Sequence, residues 1–165
     1  MTVLIGIGSN LPSSRWGAPL ATCEAALISL SHQGVDVGRR SRWYRSAPWP
    51  PSEQPWFVNG VAEVHTLLEP GELLEVMKGI EAQFGREKSV PNASRCIDLD
   101  LLIFHEKVSD PGDAILLPHP RMHERGFVLL PMAELIPNWR HPISGQTVKA
   151  LIRALPKDQP IEIIE

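Results

Sequence analysis

The sequence has few cysteines and no excess of positive charge. Cys23 and Cys96 are the two cysteines among 165 residues; they are too few for a disulfide scaffold, and their separation matches no zinc-binding pattern. We therefore expect a reducing, cytoplasmic compartment. Sixteen Lys and Arg residues against nineteen Asp and Glu residues give a net charge of −3. The chain thus lacks the overall basic field with which proteins bind long nucleic acids, and no nucleic-acid partner is expected.

Long apolar runs are also lacking. No stretch approaches the roughly 18 uninterrupted apolar residues of a membrane span, and the short apolar run at residues 1–8 has no basic region before it, so no signal peptide is expected. Hydrophobic residues nevertheless make up 43% of the chain and charged residues 21%, which is typical of a globular domain. We expect residues 1–165 to form a single domain. Because no heptad or apolar stripe demands a partner, we expect a monomer.

The spacing of apolar residues predicts a β-α-β-β-α-β order followed by a C-terminal extension. In chain order the segments are strand 3–7, helix 17–31, strand 35–44, strand 56–65, helix 70–84, strand 96–104, a helical stretch 125–135 that Pro131 should kink or interrupt, and a short helix 147–155. This order is typical of the ferredoxin-like α+β fold. We expect an antiparallel sheet with helices on one face and the other face free for loops and ligand.

Two aspartates give the sharpest chemical signal. Asp98 and Asp100 lie in the last predicted strand, where residues i and i+2 point to the same face, with Cα atoms about 7 Å apart. Neighbouring carboxylates repel each other unless a cation lies between them. Mg²⁺ is the hard cation that prefers carboxylates together with phosphate oxygens. The alternative is a solvated aspartate pair on an open sheet, without a ligand.

Basic residues flank this pair on both sides. They are Arg86, Lys88 and Arg95 before it, and His119, Arg121, His123 and Arg125 after it. Such a cluster in an acidic protein favours a polyphosphate, which arginine binds through paired donors. The alternative is ion pairing at the surface with nearby glutamates. The chain contains neither a Gly-x-x-x-x-Gly-Lys loop nor a Gly-x-Gly-x-x-Gly motif, so a nucleotide site would be of another design.

A proline-rich loop precedes the third predicted strand. Residues 46–55 contain four prolines, and loops of this length are often functional. Phe57 and Asn59 follow on one strand face. An aromatic ring beside an amide suits a flat heterocycle, because the ring stacks and the amide offers both a donor and an acceptor. The alternative for the aromatic residues of this region, Trp56 above all, is that they cover the core.

With these residues in place, the chain resembles a known family, the 6-hydroxymethyl-7,8-dihydropterin pyrophosphokinases of folate biosynthesis. The resemblance covers nearly the whole chain. It rests on Gly8-Ser9-Asn10, Tyr44-Arg45-Ser46-Ala47-Pro48, Gln54-Pro55, Arg95-Cys96-Ile97-Asp98-Leu99-Asp100 and Pro118-His119-Pro120-Arg121-Met122-His123-Glu124-Arg125-Gly126-Phe127-Val128-Leu129.

The resemblance implies a reaction and a set of sites. The reaction is transfer of pyrophosphate from ATP, the co-substrate, to the hydroxymethyl group of the pterin, with release of AMP. Two Mg²⁺ ions would be held by Asp98 and Asp100. The resemblance assigns catalysis to Arg86, Arg95, Asp98 and Asp100, pterin binding to Ser46, Ala47, Phe57, Asn59 and Phe127, and ATP binding to Glu81, Lys88, Arg95, Leu101, His119 and Arg125.

Some positions depart from the family pattern, and two other functions fit the residues. Residues 90–94 stand where Trp-Gly-Pro is common, and Ala114 and Leu116 stand where Arg and Thr are expected. The first alternative is a non-catalytic ferredoxin-like module that binds a small ligand or a partner. The second is a metal-dependent nucleotidyltransferase, which would release pyrophosphate instead of AMP.

Overall fold

The computed structural model describes residues 1–85 and 96–164, which form an α+β structure with an open antiparallel sheet of six strands and four α-helices. In the described part, no helix is long and apolar enough to cross a membrane. In chain order the elements are β1 (Val3–Ser9), α1 (Pro19–His32), β2 (Asp36–Arg40), β3 (Tyr44–Ser46), β4 (Phe57–His65), α2 (Pro70–Gln83), β5 (Asp98–Phe104), α3 (Gly126–Leu135), α4 (Val148–Arg153) and β6 (Ile161–Ile163).

The sheet places the paired aspartates beside the first strand. Its order is β5-β1-β4-β3-β6, and β2 also pairs with β4. In this register Gly8 of β1 lies between Asp98 and Asn59, while Gly6 lies between Asp100 and Val61. Three strands distant in sequence therefore bring the aspartates and Asn59 to one end of the sheet.

Helices cover both faces of this sheet, which corrects the expectation of a single covered face. On one face, α1 and α2 bury Leu30 and Met77 against Ile5 of β1. On the other face, α3 and α4 pack over Leu4 of β1 and Leu102 of β5. The pattern of β1 explains this, because nearly every residue of the strand is buried, as in strands covered on both sides. Among the described residues, loops instead of helices surround the end of the second face near Gly6 and Gly8.

The predicted strand 35–44 is divided in the structure. The chain leaves the ladder between β2 and β3, and the indole of Trp43 lies over Gly60, where an added Cβ would come within 2.6 Å of the ring. The Trp43 Nε1–H donates to the Glu24 carboxylate of α1 at 2.9 Å. Because Trp43 packs against helix α1, the strand ends where the alternation of residues along the sequence would continue it.

Two features of the C-terminal half concern helix α3 and the last strand. The sequence predicts a kink or an interruption at Pro131, and helix α3 is not interrupted there, although proline removes one backbone donor. Its buried side chains, which include Leu129 and Met132, pack on the sheet and hold the helix together. The short β6 was not predicted, because three residues carry too little periodicity. It pairs with β3 and forms an edge of the sheet.

Helix α1 ends in a backbone arrangement that depends on glycine. Gly34, with φ of 80°, donates its N–H to the Ser31 carbonyl at 3.3 Å, and Val35 donates to the Leu30 carbonyl at 3.1 Å. These two bonds form a Schellman motif. Val35 and Leu30 are both fully buried, so the turn also closes the core.

Two glycine substitutions should change stability in opposite directions. Neither Gly79 nor Gly34 has a heavy atom within 4 Å of the position of an added Cβ, so only backbone preferences differ. Gly79→Ala, at an exposed position of helix α2, should raise the free energy of unfolding by about 0.5–1 kcal/mol. Gly34→Ala should lower it by about 1 kcal/mol or more, because L-residues disfavour positive φ. Urea unfolding measures both changes, and shifts of the same sign would contradict this account.

Candidate active site

A cavity of about 510 Å³ opens at the loop-covered end of the second sheet face. Its walls come from five parts of the chain: the end of β1, the beginning of β4, the beginning of β5, the proline-rich loop, and the segment from His119 to the first turn of α3. Each of these parts carries residues that the sequence singled out.

Glycines of β1 form the floor of the cavity. Gly6 and Gly8 both line it. A Cβ added at Gly8 would lie 2.7 Å from the Asn59 Oδ1, closer than atoms can approach. Because β1 has no side chain at these two positions, space remains between Asn59 on one side and Asp98 and Asp100 on the other.

The two aspartates lie on this floor beside a buried cation. Asp98 and Asp100 are half-buried and both line the cavity. The Arg125 Nη1 lies 3.7 Å from the Asp100 Oδ2, and the arginine side chain is only 17% exposed. Burial lowers the pKa of Arg125 from its ordinary value, while Asp100 opposes the shift. The Arg125 Nε is buried and has no hydrogen-bond partner among the described residues, which leaves a donor for an anion.

His119 is held in a defined orientation next to this pair. Its backbone N–H donates to the Leu102 carbonyl of β5 at 2.9 Å, and its Nδ1 accepts the backbone N–H of Arg121 at 3.1 Å. Burial lowers the pKa of His119 below its ordinary value, with Asp100 opposing the shift. The ring is therefore neutral at pH 7, with its proton on Nε2. That N–H is a hydrogen-bond donor beside the aspartates.

An apolar part of the cavity lies beyond Asn59. Phe57, Phe127 and Trp49 contribute rings to its lining, and the Arg125 guanidinium lies 5.6 Å from the Phe127 ring centroid. The Asn59 Nδ2 donates to the buried Ser46 hydroxyl at 2.6 Å, which fixes the orientation of the amide. Its remaining donor and acceptor capacity can serve the edge of a flat ring.

Hydrogen bonds of the Asn10 side chain connect the proline-rich loop to the end of β1. The sequence alone did not indicate this role for Asn10. The Asn10 Nδ2 donates to the Gln54 Oε1 at 3.1 Å and to the Pro55 carbonyl at 3.2 Å. Asn10 is 2% exposed. The contacts span more than 40 residues, so no local pattern could have indicated them.

The structure describes eleven of the predicted site residues, brings seven of them into one cavity and places the other four elsewhere. Those that line it are Phe57, Asn59, Asp98, Asp100, His119, Arg125 and Phe127. Ser46 lies behind Asn59, Glu81 is buried in α2, and Leu101 packs in the core below α1 and α2. The Ala47 N–H donates to the Pro160 carbonyl at 3.1 Å. Arg86, Lys88 and Arg95 lie outside the described residues.

Two members of the basic cluster pair with a glutamate. The Arg121 Nε lies 3.8 Å from the Glu124 Oε2, and the His123 Nε2 lies 3.7 Å from the Glu124 Oε1. The ion-pairing alternative is thus realised in part for these two residues. Arg125 and His119 instead face the aspartates, so the cavity combines anion-binding donors with oxygen ligands for a cation.

Trp56, the tryptophan predicted to cover the core, lies elsewhere. Trp56 is 41% exposed, and the Arg45 guanidinium lies 5.5 Å from its ring centroid. It neither covers the core nor lines the cavity. Trp49, from the same proline-rich region, is the tryptophan that lines it.

Comparisons with known proteins agree on one family. The sequence profile described as HPPK, 7,8-dihydro-6-hydroxymethylpterin-pyrophosphokinase, matches residues 4–137. A 2-amino-4-hydroxy-6-hydroxymethyldihydropteridine pyrophosphokinase of Synechocystis is 36% identical over 149 residues, which are 90% of this chain and 73% of that protein.

Proteins of the same name from two further bacteria are equally similar. The protein of Methylorubrum extorquens is 37% identical over 92% of this chain and 91% of its own length. That of Pseudomonas aeruginosa is 36% identical over 93% of this chain and 91% of its own length. By this extent of matching, the chain belongs to the 7,8-dihydro-6-hydroxymethylpterin-pyrophosphokinase family.

Proposed function

We propose that the 510 Å³ cavity is the active site of an ATP-dependent pyrophosphokinase. The reaction of the family is pyrophosphate transfer from ATP to hydroxymethyldihydropterin in folate synthesis. The observation that carries the proposal is the convergence in one cavity of an aspartate pair, two basic donors and an aromatic slot with an oriented amide. A non-catalytic module would need none of these together.

The pterin occupies the apolar part of the cavity in this proposal. Phe57 and Phe127 stack on the ring, and the oriented Asn59 amide hydrogen-bonds its polar edge. Ser46 acts from behind by holding the amide, through the bond of 2.6 Å. The Ala47 N–H already donates to Pro160 and Ala47 does not line the cavity, so its contact with the pterin stays a prediction.

The phosphates of ATP lie over the aspartate end. Arg125 has a buried guanidinium with an unpartnered Nε, and neutral His119 offers its Nε2–H. These donors bind and orient the phosphate oxygens. Arg86, Lys88 and Arg95 lie outside the described residues, and their catalytic and ATP-binding roles stay predictions. The same holds for the ATP contacts of Glu81 and Leu101, which do not line the cavity.

The carboxylates fit Mg²⁺ as the required ion. The described residues contain no group of three or more His, Cys, Asp or Glu side chains placed to hold a metal. Mg²⁺ typically uses one or two carboxylates and completes its shell with water and substrate phosphates, so Asp98 and Asp100 suffice to hold the two ions expected. When bound there, Mg²⁺ supplies positive charge to the phosphate oxygens.

The chemistry follows from positioning. The hydroxymethyl oxygen forms a bond to the β-phosphorus, the bond from that phosphorus to the α-phosphate bridging oxygen breaks, and AMP leaves as the hydroxyl loses its proton. Stacking of the pterin and clamping of the phosphates by Arg125 and His119 bring the oxygen and phosphorus into line.

The remaining features of the proposal concern the whole chain. The β1-α1-β2/β3-β4-α2-β5 order with β1 between β5 and β4 favours a ferredoxin-like core. We propose that residues 1–165 act as one domain and as a monomer. The free thiols of Cys23 and Cys96 accord with a cytoplasmic location.

Purified protein should release AMP from ATP only when both hydroxymethyldihydropterin and Mg²⁺ are present. Chromatography separates AMP from the other products, and removal of Mg²⁺ with EDTA should stop the reaction. Absence of AMP with all components present would reject the pyrophosphokinase. Release of pyrophosphate would instead identify a nucleotidyltransferase, and ATP binding without turnover would identify a binding module.

Asp98→Asn and Asp100→Asn should each lower turnover by about 100-fold or more, because each removes a carboxylate that would hold Mg²⁺, the ion that neutralises charge on the phosphates. Asp36→Asn on the exposed strand β2 is the matched control and should keep wild-type turnover. Circular dichroism checks that the fold is retained. Near-normal turnover of either site variant would refute a metal role for that aspartate.

Gly8→Ala should impair pterin binding selectively. The new methyl group would lie 2.7 Å from the Asn59 Oδ1 and displace the amide from the pterin edge, so we expect the KM for pterin to rise about tenfold or more. The KM for ATP should change less. Gly79→Ala, on the exposed face of α2, serves as the control. If Gly8→Ala leaves the pterin KM unchanged, the strand is not the floor of the pterin site.

A further inference from the structure

A glutamine near the C-terminus contacts the wall of the cavity from outside the family match. The match covers residues 4–137, and Gln159 lies beyond it. The Gln159 Oε1 accepts the Gly126 N–H at 2.9 Å, and its Nε2 donates to the Glu124 carbonyl at 2.8 Å. One side-chain amide therefore binds the backbone on both sides of Arg125.

These two hydrogen bonds resemble the backbone hydrogen bonds between paired β-strands. Arg125 has φ of −112° and ψ of 106°, an extended conformation. In such a conformation the preceding carbonyl and the following N–H point to the same side, where a neighbouring strand would bind them. The Gln159 amide takes the place of that strand. It fixes the backbone from which the Arg125 guanidinium enters the cavity.

The bond to Gly126 also gives a hydrogen-bond partner to the first N–H group of α3. Gly126 is the first residue of this helix, and Arg125, at the N-cap position, makes no side-chain cap hydrogen bond. The first N–H groups of a helix lack partners within it, so Gln159 supplies a cap from 33 residues away. Phe127 is the next residue of the helix, so the hydrogen bond of Gln159 to Gly126 also holds its backbone in place.

The residues after Gln159 contact strand β3 and the residue that follows it. The Pro160 carbonyl accepts the Ala47 N–H at 3.1 Å, and β6 pairs with β3, which carries Ser46. The Ile161 side chain packs so closely on Gly126 that an added Cβ there would lie 2.5 Å from its Cδ1. Residues 159–161 thus connect the segment that carries Phe127 to strand β3, whose Ser46 holds the Asn59 amide from behind.

We propose that Gln159 is a positioning residue, which sets the placement of Arg125 and Phe127 for the reaction without touching either substrate. The inference rests on the proposed function, because it takes Arg125 as a phosphate ligand and Phe127 as a pterin contact. Gln159 acts through its two backbone hydrogen bonds, and its role requires a neutral amide that both donates and accepts.

Gln159→Met keeps the size of the side chain and removes both bonds. We expect kcat/KM to fall about tenfold, with higher KM values for both pterin and ATP, at a temperature where the protein is fully folded. The Gly126 amide, followed by NMR, should exchange with solvent faster. Gln159→Glu retains the acceptor for Gly126 but turns a carboxylate oxygen towards the Glu124 carbonyl at neutral pH, so it should not keep wild-type kinetics either.

Gln146→Met is the matched control, because this glutamine lies away from the proposed active site and should leave kinetics unchanged. A role confined to stability would lower the melting temperature of Gln159→Met and leave kcat and both KM values within twofold of wild type, which would overturn the proposal. Unchanged exchange of the Gly126 amide would overturn it as well.

Failure of the proposed function gives a different result. Wild-type protein would then form no AMP at all, whereas failure of the positioning role leaves wild type and Gln159→Met equally active. In an inactive wild type, calorimetric binding of ATP and pterin replaces kinetics. Weaker binding by Gln159→Met would support the positioning role, and equal binding would overturn it.

Discussion

The repulsion between two carboxylates that share one strand face governs the arrangement of the cavity. Asp98 and Asp100 are half-buried, where their mutual repulsion is screened less than in water. Arg125 offsets part of it from 3.7 Å, yet its guanidinium is mostly buried and also faces the cavity. A cation and a polyphosphate together would balance both groups, so the charges of the site are complementary to a magnesium–nucleotide complex.

The rest of the fold can be understood as support for this charged end. β1 lies between β4 and β5, so a single strand fixes the distance between Asn59 and the aspartates. Because that strand carries glycine at positions 6 and 8, the backbone itself forms the floor. The two helix layers bury the remainder of β1 on both faces, which keeps a glycine-containing strand rigid.

Local patterns in the sequence predicted the parts of this site that depend on neighbours along the chain. A spacing of two residues along a strand predicted that Asp98 and Asp100 share one face, and that Phe57 and Asn59 do so as well. Both pairs line the cavity. Helices α1 and α2 followed from apolar spacing. The resemblance added Phe127 to the predicted site and assigned ATP binding to Arg125, which already belonged to the basic cluster.

Contacts between distant segments could not be predicted in this way. The position of Gly8 between Asp98 and Asn59 depends on strand pairing, and the bond from Asn10 to Gln54 depends on the path of a loop. Trp43 ended a predicted strand by packing over Gly60. Coverage of the second sheet face by α3 was missed for the same reason, since it depends on where a later helix returns.

Strand β6 has a consequence for the limits of the functional unit. It occupies the backbone groups of β3 along Tyr44–Ser46, and β3 would otherwise be a sheet edge. Unpaired edges attract strands of other molecules. A chain cut at residue 137, where the family match ends, would expose this edge, so association of two cut chains through β3 would be favoured.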